Sequence, residues 1–144
     1  MSQSPAHQKI LAFLNQNTLG VISTIHVDKN APESAVVGFG NTENLELVFG
    51  TLASTRKYKN LMINPNLSFV IGWSSTTGTL QYEGVAHELS AEEIEKYTPL
   101  LLSKSEGHKK FINHPEQKYF LVTPTWIRFS DNAGNPPEVY ELTP

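Results

Sequence analysis

The stretch Leu45-Glu-Leu-Val-Phe-Gly-Thr-Leu-Ala-Ser-Thr-Arg-Lys-Tyr-Lys-Asn60 runs from an alternating strand through a hydroxyl-rich turn into a helix that opens with two cations. Ser54 is a suitable N-cap, so Arg56 and Lys57 fall in the first turn of the predicted helix. Cations are disfavoured there by roughly a few tenths of a kcal/mol, because this end carries the positive pole of the helix dipole. The sequence therefore predicts that an anion binds at this turn.

The groups around the turn favour a phosphate monoester over a carboxylate. Three kinds of side-chain group would lie beside the free N–H groups of the helix. They are the hydroxyls of Thr51, Ser54 and Thr55, the guanidinium of Arg56 and the ammonium of Lys57. The chain carries a net charge of -3, yet no Asp or Glu occurs between Glu46 and Glu83. A local positive region in an acidic protein favours a small anionic ligand over a nucleic acid, which usually needs a whole basic face. The alternative is an ordinary solvated helix surface, where short charge runs are common.

Length and composition favour one domain over residues 1–144. The chain is 39% hydrophobic and 17% charged, as is ordinary for a globular protein. It has no cysteine, which excludes disulfides, thiolate metal sites and a cysteine nucleophile. The first residues lack the pattern of a signal peptide, and no window has the roughly 20 apolar residues of a membrane helix. We expect a cytoplasmic protein that does not enter a membrane.

Periodicity and turn signals predict a mainly β fold with flanking helices. Helices are expected over residues 4–15, 55–63 and 90–102. Six strands are expected over residues 19–27, 33–39, 45–49, 67–73, 79–89 and 118–129, followed by a loop or flexible arm over residues 131–137. Because most connections are short, these strands suit an antiparallel barrel closed by helices rather than a parallel sheet.

The order of several short motifs resembles that of the pyridoxamine 5'-phosphate oxidase family. The first run is Val48-Phe-Gly-Thr-Leu-Ala-Ser-Thr-Arg-Lys57, followed by Asn64-Pro65 and Leu67-Ser-Phe69. A second run, Leu80-Gln-Tyr-Glu-Gly-Val-Ala86, is similar to a later strand of the family. The resemblance implies a six-stranded antiparallel split β-barrel, which forms a homodimer and binds flavin mononucleotide (FMN) in a cleft between the subunits.

The same resemblance implies roles for individual residues. Arg56 and Lys57 would hold the flavin phosphate, and the hydroxyl or backbone groups of Thr51, Ser54 and Thr55 would add to it. The strand of Ser34, Ala35, Val36 and Val37 would lie along the edge of the isoalloxazine ring. Gln81 would reach the flavin from across the cleft.

The chain also departs from the family pattern. The run Phe129-Ser-Asp-Asn-Ala-Gly-Asn-Pro-Pro137 lacks the Arg and His residues of true pyridoxamine phosphate oxidases, so vitamin B6 oxidation is not expected. Ser34 stands where the family has an Arg, which removes one phosphate contact. A substrate pocket would be lined by Tyr58, Trp73, Trp126 and Arg128. For Trp126 and Arg128, the alternatives are packing and a surface ion pair.

These observations predict an FMN-binding flavoprotein, an oxidoreductase that acts on a small-molecule substrate with NADH or NADPH as a possible donor. In such enzymes the flavin performs the electron transfer and the protein supplies binding and electrostatics. The alternative is a non-catalytic binding, storage or sensing module for a flavin, haem or deazaflavin on the same fold. The five histidines show no metal-ligand spacing, so no metal site is expected, and we interpret them as solvent-facing or structural.

Overall fold

Eight antiparallel strands form one sheet in the computed structural model, which describes residues 3–104 and 106–144. The strands are β1 (Leu19–His26), β2 (Ala31–Gly38), β3 (Gly40–Asn41), β4 (Leu47–Leu52), β5 (Asn66–Ser74), β6 (Gly78–Glu88), β7 (Gln117–Asp131) and β8 (Glu138–Leu142). The helices are α1 (Pro5–Gln16), α2 (Arg56–Ile63), α3 (Ala91–Leu102) and a 3₁₀ helix (Glu106–Phe111). The predicted mainly β fold with flanking helices is confirmed.

The order of strands curls the sheet and leaves a split in it. The order is β2-β1-β5-β6-β7-β4-β3, with β8 added beside β7. β2 and β4 approach each other, although β2 pairs only with β1 among the described residues. The sheet therefore folds toward a barrel that is open between β2 and β4.

Aromatic side chains fill the inside of the curled sheet. The Phe49 ring stacks on Phe120 at a centroid distance of 5.3 Å and meets Phe69 edge-on at 5.9 Å. Phe13 of α1 packs against Phe129 at 4.5 Å, so the helix covers one end of the barrel. In β5 and β6, inward-facing buried residues alternate with exposed ones. This alternation leaves every second residue of the sheet on an outer face.

Local signals explain why the helices begin where they do. Ser4 caps α1 by accepting a hydrogen bond from the His7 N–H, and Pro5 occupies the first helical position. Ser90 and Glu93 form a capping box at the start of α3. No helix among residues 3–104 and 106–144 is long and apolar enough to cross a membrane.

The sheet has eight strands rather than the six predicted. β3 is a two-residue strand within a predicted turn, and β8 lies in the tail that follows the predicted loop. β8 forms because it pairs antiparallel with β7, from Ile127 opposite Leu142 to Asp131 opposite Glu138. β7 continues through Pro124 because the register with β6 shifts there, and such irregularities tolerate a residue without an N–H donor.

Candidate functional site

The turn between β4 and α2 brings two cations to a helix N-terminus. The N-cap is Thr55, not Ser54 as predicted: its hydroxyl accepts a hydrogen bond from the Tyr58 N–H at 3.4 Å and donates one to the Leu52 carbonyl at 2.9 Å. Ser54 is exposed and lies outside the helix. Arg56 and Lys57 are therefore the first two helical residues, with no acidic residue in that turn.

Two threonine hydroxyls meet beside these cations. Thr51 Oγ1 and Thr55 Oγ1 are 2.8 Å apart. Because the Thr55 proton is directed to the Leu52 carbonyl, Thr51 is the donor of this bond. Thr51 is almost fully buried, so its hydroxyl is held in a fixed orientation at the side of the cleft described below.

A buried polar network links α2 to β2. Asn60 Nδ2 donates to Glu33 Oε1 at 2.9 Å and to Thr24 Oγ1 at 3.0 Å. Arg56 Nη1 donates to Glu33 Oε2 at 2.9 Å. The Asn60 hydrogen bond, followed by the Arg56 charge, holds the pKa of Glu33 below its usual value against the opposing effect of burial. Glu33 is therefore a charged carboxylate in this site at neutral pH.

Two adjoining clefts lie along the split between β2 and the β4–α2 turn. The smaller cleft has a volume of about 190 Å³ and is lined by Ile22, Thr24, Glu33, Ser34, Ala35, Thr55, Arg56 and Lys57. The larger cleft has a volume of about 380 Å³ and is lined by Leu19, Val36, Val37, Gly38, Gly50, Thr51, Leu52, Thr55, Lys57, Gly107, His108, Phe111 and Gln117. Thr55 and Lys57 line both clefts, so a ligand can extend from one into the other.

Lys57 stands at the junction of the two clefts. Burial, and secondly the charge of Arg56, lower the pKa of its ammonium group. Within residues 3–104 and 106–144, no carboxylate forms an ion pair with Lys57. An anion bound at this junction would counter both effects, because it would supply the missing opposite charge.

His108 of the 3₁₀ helix closes one side of the larger cleft. Its Nε2 lies so close to Gly38 that a Cβ at that position would be only 2.4 Å away. Burial lowers the pKa of His108, which favours the neutral imidazole at pH 7. The interpretation of the histidines as solvent-facing or structural gave no indication of this position.

Eight of the predicted site residues come together in the clefts. They are Ser34, Ala35, Val36, Val37, Thr51, Thr55, Arg56 and Lys57. The remaining predicted residues do not line either cleft: Ser54, Tyr58, Trp73, Gln81, Trp126 and Arg128.

These other residues lie mainly on the outer face of the sheet. Tyr58 instead donates to Glu88 Oε1 at 2.7 Å from the side of α2. Trp126 Nε1 donates to Glu141 at 2.7 Å, and Arg128 lies 3.8 Å from the same carboxylate, which matches the surface ion pair expected as an alternative for Arg128. Trp73 is 64% exposed.

Gln81 lies three strands away from β2 on the outer face. Gln81 of β6 is the register partner of Val70 of β5. Val70 is opposite Val21 of β1, and Val21 is opposite Val36 of β2. Gln81 therefore does not reach the clefts of its own chain in this arrangement.

The sequence interpretation missed Glu33, Asn60 and His108. The sequence did contain a signal for Glu33. Glu33 alternates with exposed residues of β2 on the same inward face as Ala35 and Val37, and a charged residue on an inward face needs a partner. The sequence contained no such signal for Asn60 or His108, because the residues they contact are distant in the chain.

These observations define a class: a split β-barrel protein with clefts at the split, where a helix N-terminus carrying two cations lies beside a strand edge that is unpaired among the described residues. The family model described as pyridoxamine 5'-phosphate oxidase matches residues 6–131, and the chain belongs to this family. The predicted family and split-barrel fold are thereby confirmed. No curated protein matches the sequence.

Solved structures with the same fold differ in what their names say they bind. A heme binding protein from Mycobacterium smegmatis superposes with a TM-score of 0.83 at 15% identity, covering 99% of this chain and 60% of that chain. This chain thus spans about 60% of the length of that protein. A pyridoxamine 5'-phosphate oxidase-related, FMN binding protein from Nostoc punctiforme gives 0.70 at 13% identity, covering 99% and 93%. General Stress Protein 26 from Bacillus anthracis gives 0.72 at 19%, covering 94% and 98%.

Proposed function

We propose that this protein binds FMN in the two clefts, with the phosphate at the start of α2 and the isoalloxazine ring along β2. The observation that carries the proposal is the pair of cations, Arg56 and Lys57, in the first turn of α2. A helix N-terminus with free N–H groups suits a phosphate, and two added cations suit its negative charge.

The residues present fit both ends of FMN. The smaller cleft offers a guanidinium and an ammonium group, and hydroxyls lie at its junction with the larger cleft. The larger cleft lies within the usual size of ligand sites, about 300–1,000 Å³, and apolar side chains such as Val36 and Phe111 line it. β2 pairs with no second strand among the described residues, so its outer edge has main-chain groups available for the ring.

The proposed activity is that of a flavin-dependent oxidoreductase. FMN, when bound, supplies hydride or electron transfer. The chain's own residues bind the phosphate, place the ring against β2 and shape the space for a small-molecule substrate. NADH or NADPH is the proposed electron donor.

We also propose that the protein is a homodimer with the cofactor site between the subunits. Four residues that are register partners form a continuous row across the outer face of four strands: Val36, Val21, Val70 and Gln81. Val36 is 62% exposed and Val70 is 42% exposed. A second copy that covers these valines would place its own surface beside the larger cleft, which Val36 also lines. Gln81 would then contact the second copy. Light scattering of the flavin-loaded protein should then give about twice the chain mass of 16.0 kDa.

The test of FMN binding is a titration followed by absorbance and flavin fluorescence. The wild type should bind one FMN per chain, and NADPH or NADH should reduce it under anaerobic conditions. The variant Arg56→Ala/Lys57→Ala should bind FMN about 100-fold more weakly, because two charge-assisted hydrogen bonds are lost. Lys59→Ala is the matched control, since Lys59 is an exposed cation of the same helix that lines neither cleft. Equal FMN affinity in the double variant and the wild type would refute the phosphate assignment.

His108 supports a second candidate, a non-catalytic module that binds haem. Haem, if bound in the larger cleft, would take the neutral His108 imidazole as an iron ligand, and the similar Mycobacterium smegmatis protein is described as a heme binding protein. A hemin titration that shows a Soret band shift in the wild type but not in His108→Ala would favour this candidate. A deazaflavin in place of FMN is the remaining alternative, and the same titration with a deazaflavin tests it.

A further inference from the structure

The smaller cleft contains its own anion. Glu33 points inward from β2, its side chain is only 9% exposed, and it lies among the lining residues beside Arg56 and Lys57. A carboxylate is unexpected in a site that would bind phosphate, because two negative groups repel each other at short range.

The side chains of the Arg56–Glu33 ion pair differ in how far they can move. Glu33 is fixed by Asn60, which is itself buried and hydrogen-bonded to the buried Thr24. The Arg56 side chain is 68% exposed and is held only at its tip, where Nη1 donates to Glu33. When a ligand enters, the arginine can therefore move and the carboxylate cannot.

We propose that Glu33 competes with the ligand's phosphate for Arg56 and so determines how strongly the site prefers a phosphorylated over an unphosphorylated flavin. This inference rests on the phosphate assignment within the proposed function. Lys57 has no carboxylate partner in the described structure and is fully available to the phosphate, whereas Arg56 is shared between two anions. Glu33 lowers the affinity for a phosphate group and leaves the affinity for the ring unchanged.

The charges that face Glu33 come from three elements. Arg56 approaches from α2 at 2.9 Å and Lys29 from the β1–β2 turn at 3.8 Å, and the charge of His26 at the end of β1 also acts on it. Lys29 is exposed, so solvent screens most of its effect. Arg56 is therefore the cation that the ligand and Glu33 share.

The variant Glu33→Gln tests this competition. Glutamine keeps the shape and the oxygen that accepts from Asn60 but removes the charge that holds Arg56. We expect FMN and inorganic phosphate to bind on the order of tenfold more tightly than to the wild type, because the phosphate gains Arg56 and loses a repulsion. Riboflavin, which has no phosphate, should bind with unchanged affinity. Glu95→Gln is the matched control, because Glu95 is an exposed carboxylate of α3 that lines neither cleft.

Several outcomes would overturn the inference. Unchanged or weaker binding of both FMN and phosphate to Glu33→Gln would do so, and so would an equal gain for riboflavin. If Glu33→Gln does not fold, the single variants Arg56→Ala and Lys57→Ala test the same competition, because Arg56 is shared with Glu33 and Lys57 is not. Lys57→Ala should weaken the binding of FMN and inorganic phosphate several-fold more than Arg56→Ala does, and equal losses in the two variants would again overturn the inference.

The experiment separates this inference from the proposed function. If the wild type binds FMN through Arg56 and Lys57 while Glu33→Gln equals the wild type, FMN binding stands and the competition fails. If no variant binds FMN but Glu33→Gln gains affinity for inorganic phosphate, the competition stands and the FMN proposal fails.

Discussion

Substitution of Gly38 by alanine is expected to push the His108 imidazole away from the larger cleft while the protein stays folded. The new Cβ would lie 2.4 Å from His108 Nε2, 3.2 Å from Cδ2 and 3.5 Å from Cε1. Since non-bonded heavy atoms are most stable about 3.5–4.0 Å apart, the ring must retreat by about 1 Å. Gly38 is not among the glycines with positive φ, so alanine suits its backbone.

The expected change in stability is small and the expected change in binding is larger. The clash involves only the tip of a side chain, and an off-rotamer torsion costs about 0.5–1.5 kcal/mol. Alanine recovers about 0.4–1 kcal/mol by restricting the unfolded chain. The free energy of unfolding should therefore stay within about 1 kcal/mol of the wild type. FMN affinity should fall about three- to tenfold, because a misplaced cleft wall loses part of its contacts with the ligand.

A double-mutant cycle measures whether the effect passes through His108. FMN titrations and urea unfolding are compared for Gly38→Ala, His108→Ala and the double variant. If Gly38 acts by moving His108, the double variant should bind FMN like His108→Ala, so the two effects do not add. The reasoning is refuted if Gly38→Ala weakens binding equally with and without His108, or if it unfolds the protein.

Two further predictions concern buried groups. Tyr82→Phe should lower the free energy of unfolding by about 1–3 kcal/mol in urea titrations, because the buried Tyr82 hydroxyl donates to the carbonyls of Leu45 at 2.7 Å and Val122 at 3.2 Å; an equal loss in the control Tyr140→Phe would contradict this. Because burial lowers the pKa of His108 below 6.5, the unfolded chain binds its proton more readily, and stability should fall as the pH drops from 6.5 through the folded pKa. His108→Gln should lose less stability than the wild type between pH 7 and about 5.5, and an identical loss would contradict the assignment.

The cationic helix start could be predicted because its signals are local. The hydroxyl residues of the turn and the two cations that follow are adjacent in the sequence, and a helix needs only such neighbours to begin. The predicted cap lies one residue early, because Ser54 and Thr55 are both good caps, and in the structure Thr55 caps the helix and also donates to the Leu52 carbonyl. Helix boundaries inferred from sequence commonly shift by a residue or two for this reason.

The charge balance of the site could not be predicted, because it depends on contacts between distant residues. Glu33 and Arg56 are 23 positions apart, and Asn60 joins the same carboxylate from one turn further along α2. The same holds for β8, whose residues form a strand only because β7 offers its edge. His108 reaches Gly38 from 70 positions away across a polar stretch without any periodic pattern.

The position of the cleft follows from the order of the strands, whereas its preference for a ligand does not. α2 connects β4, beside the split, to β5, which lies beside β1 on the other side of the split. The helix packs against both β1 and β4, so its N-terminus must face the gap between β2 and β4. This topology places a helix N-terminus there, so the position of the proposed anion site follows from the fold. Glu33 and His108 are side chains that project into the same gap from β2 and from the 3₁₀ helix, and they can change without disturbing the topology. We therefore expect substitutions at Glu33 and His108 to change the ligand preference of this protein and to leave the arrangement of its strands unchanged.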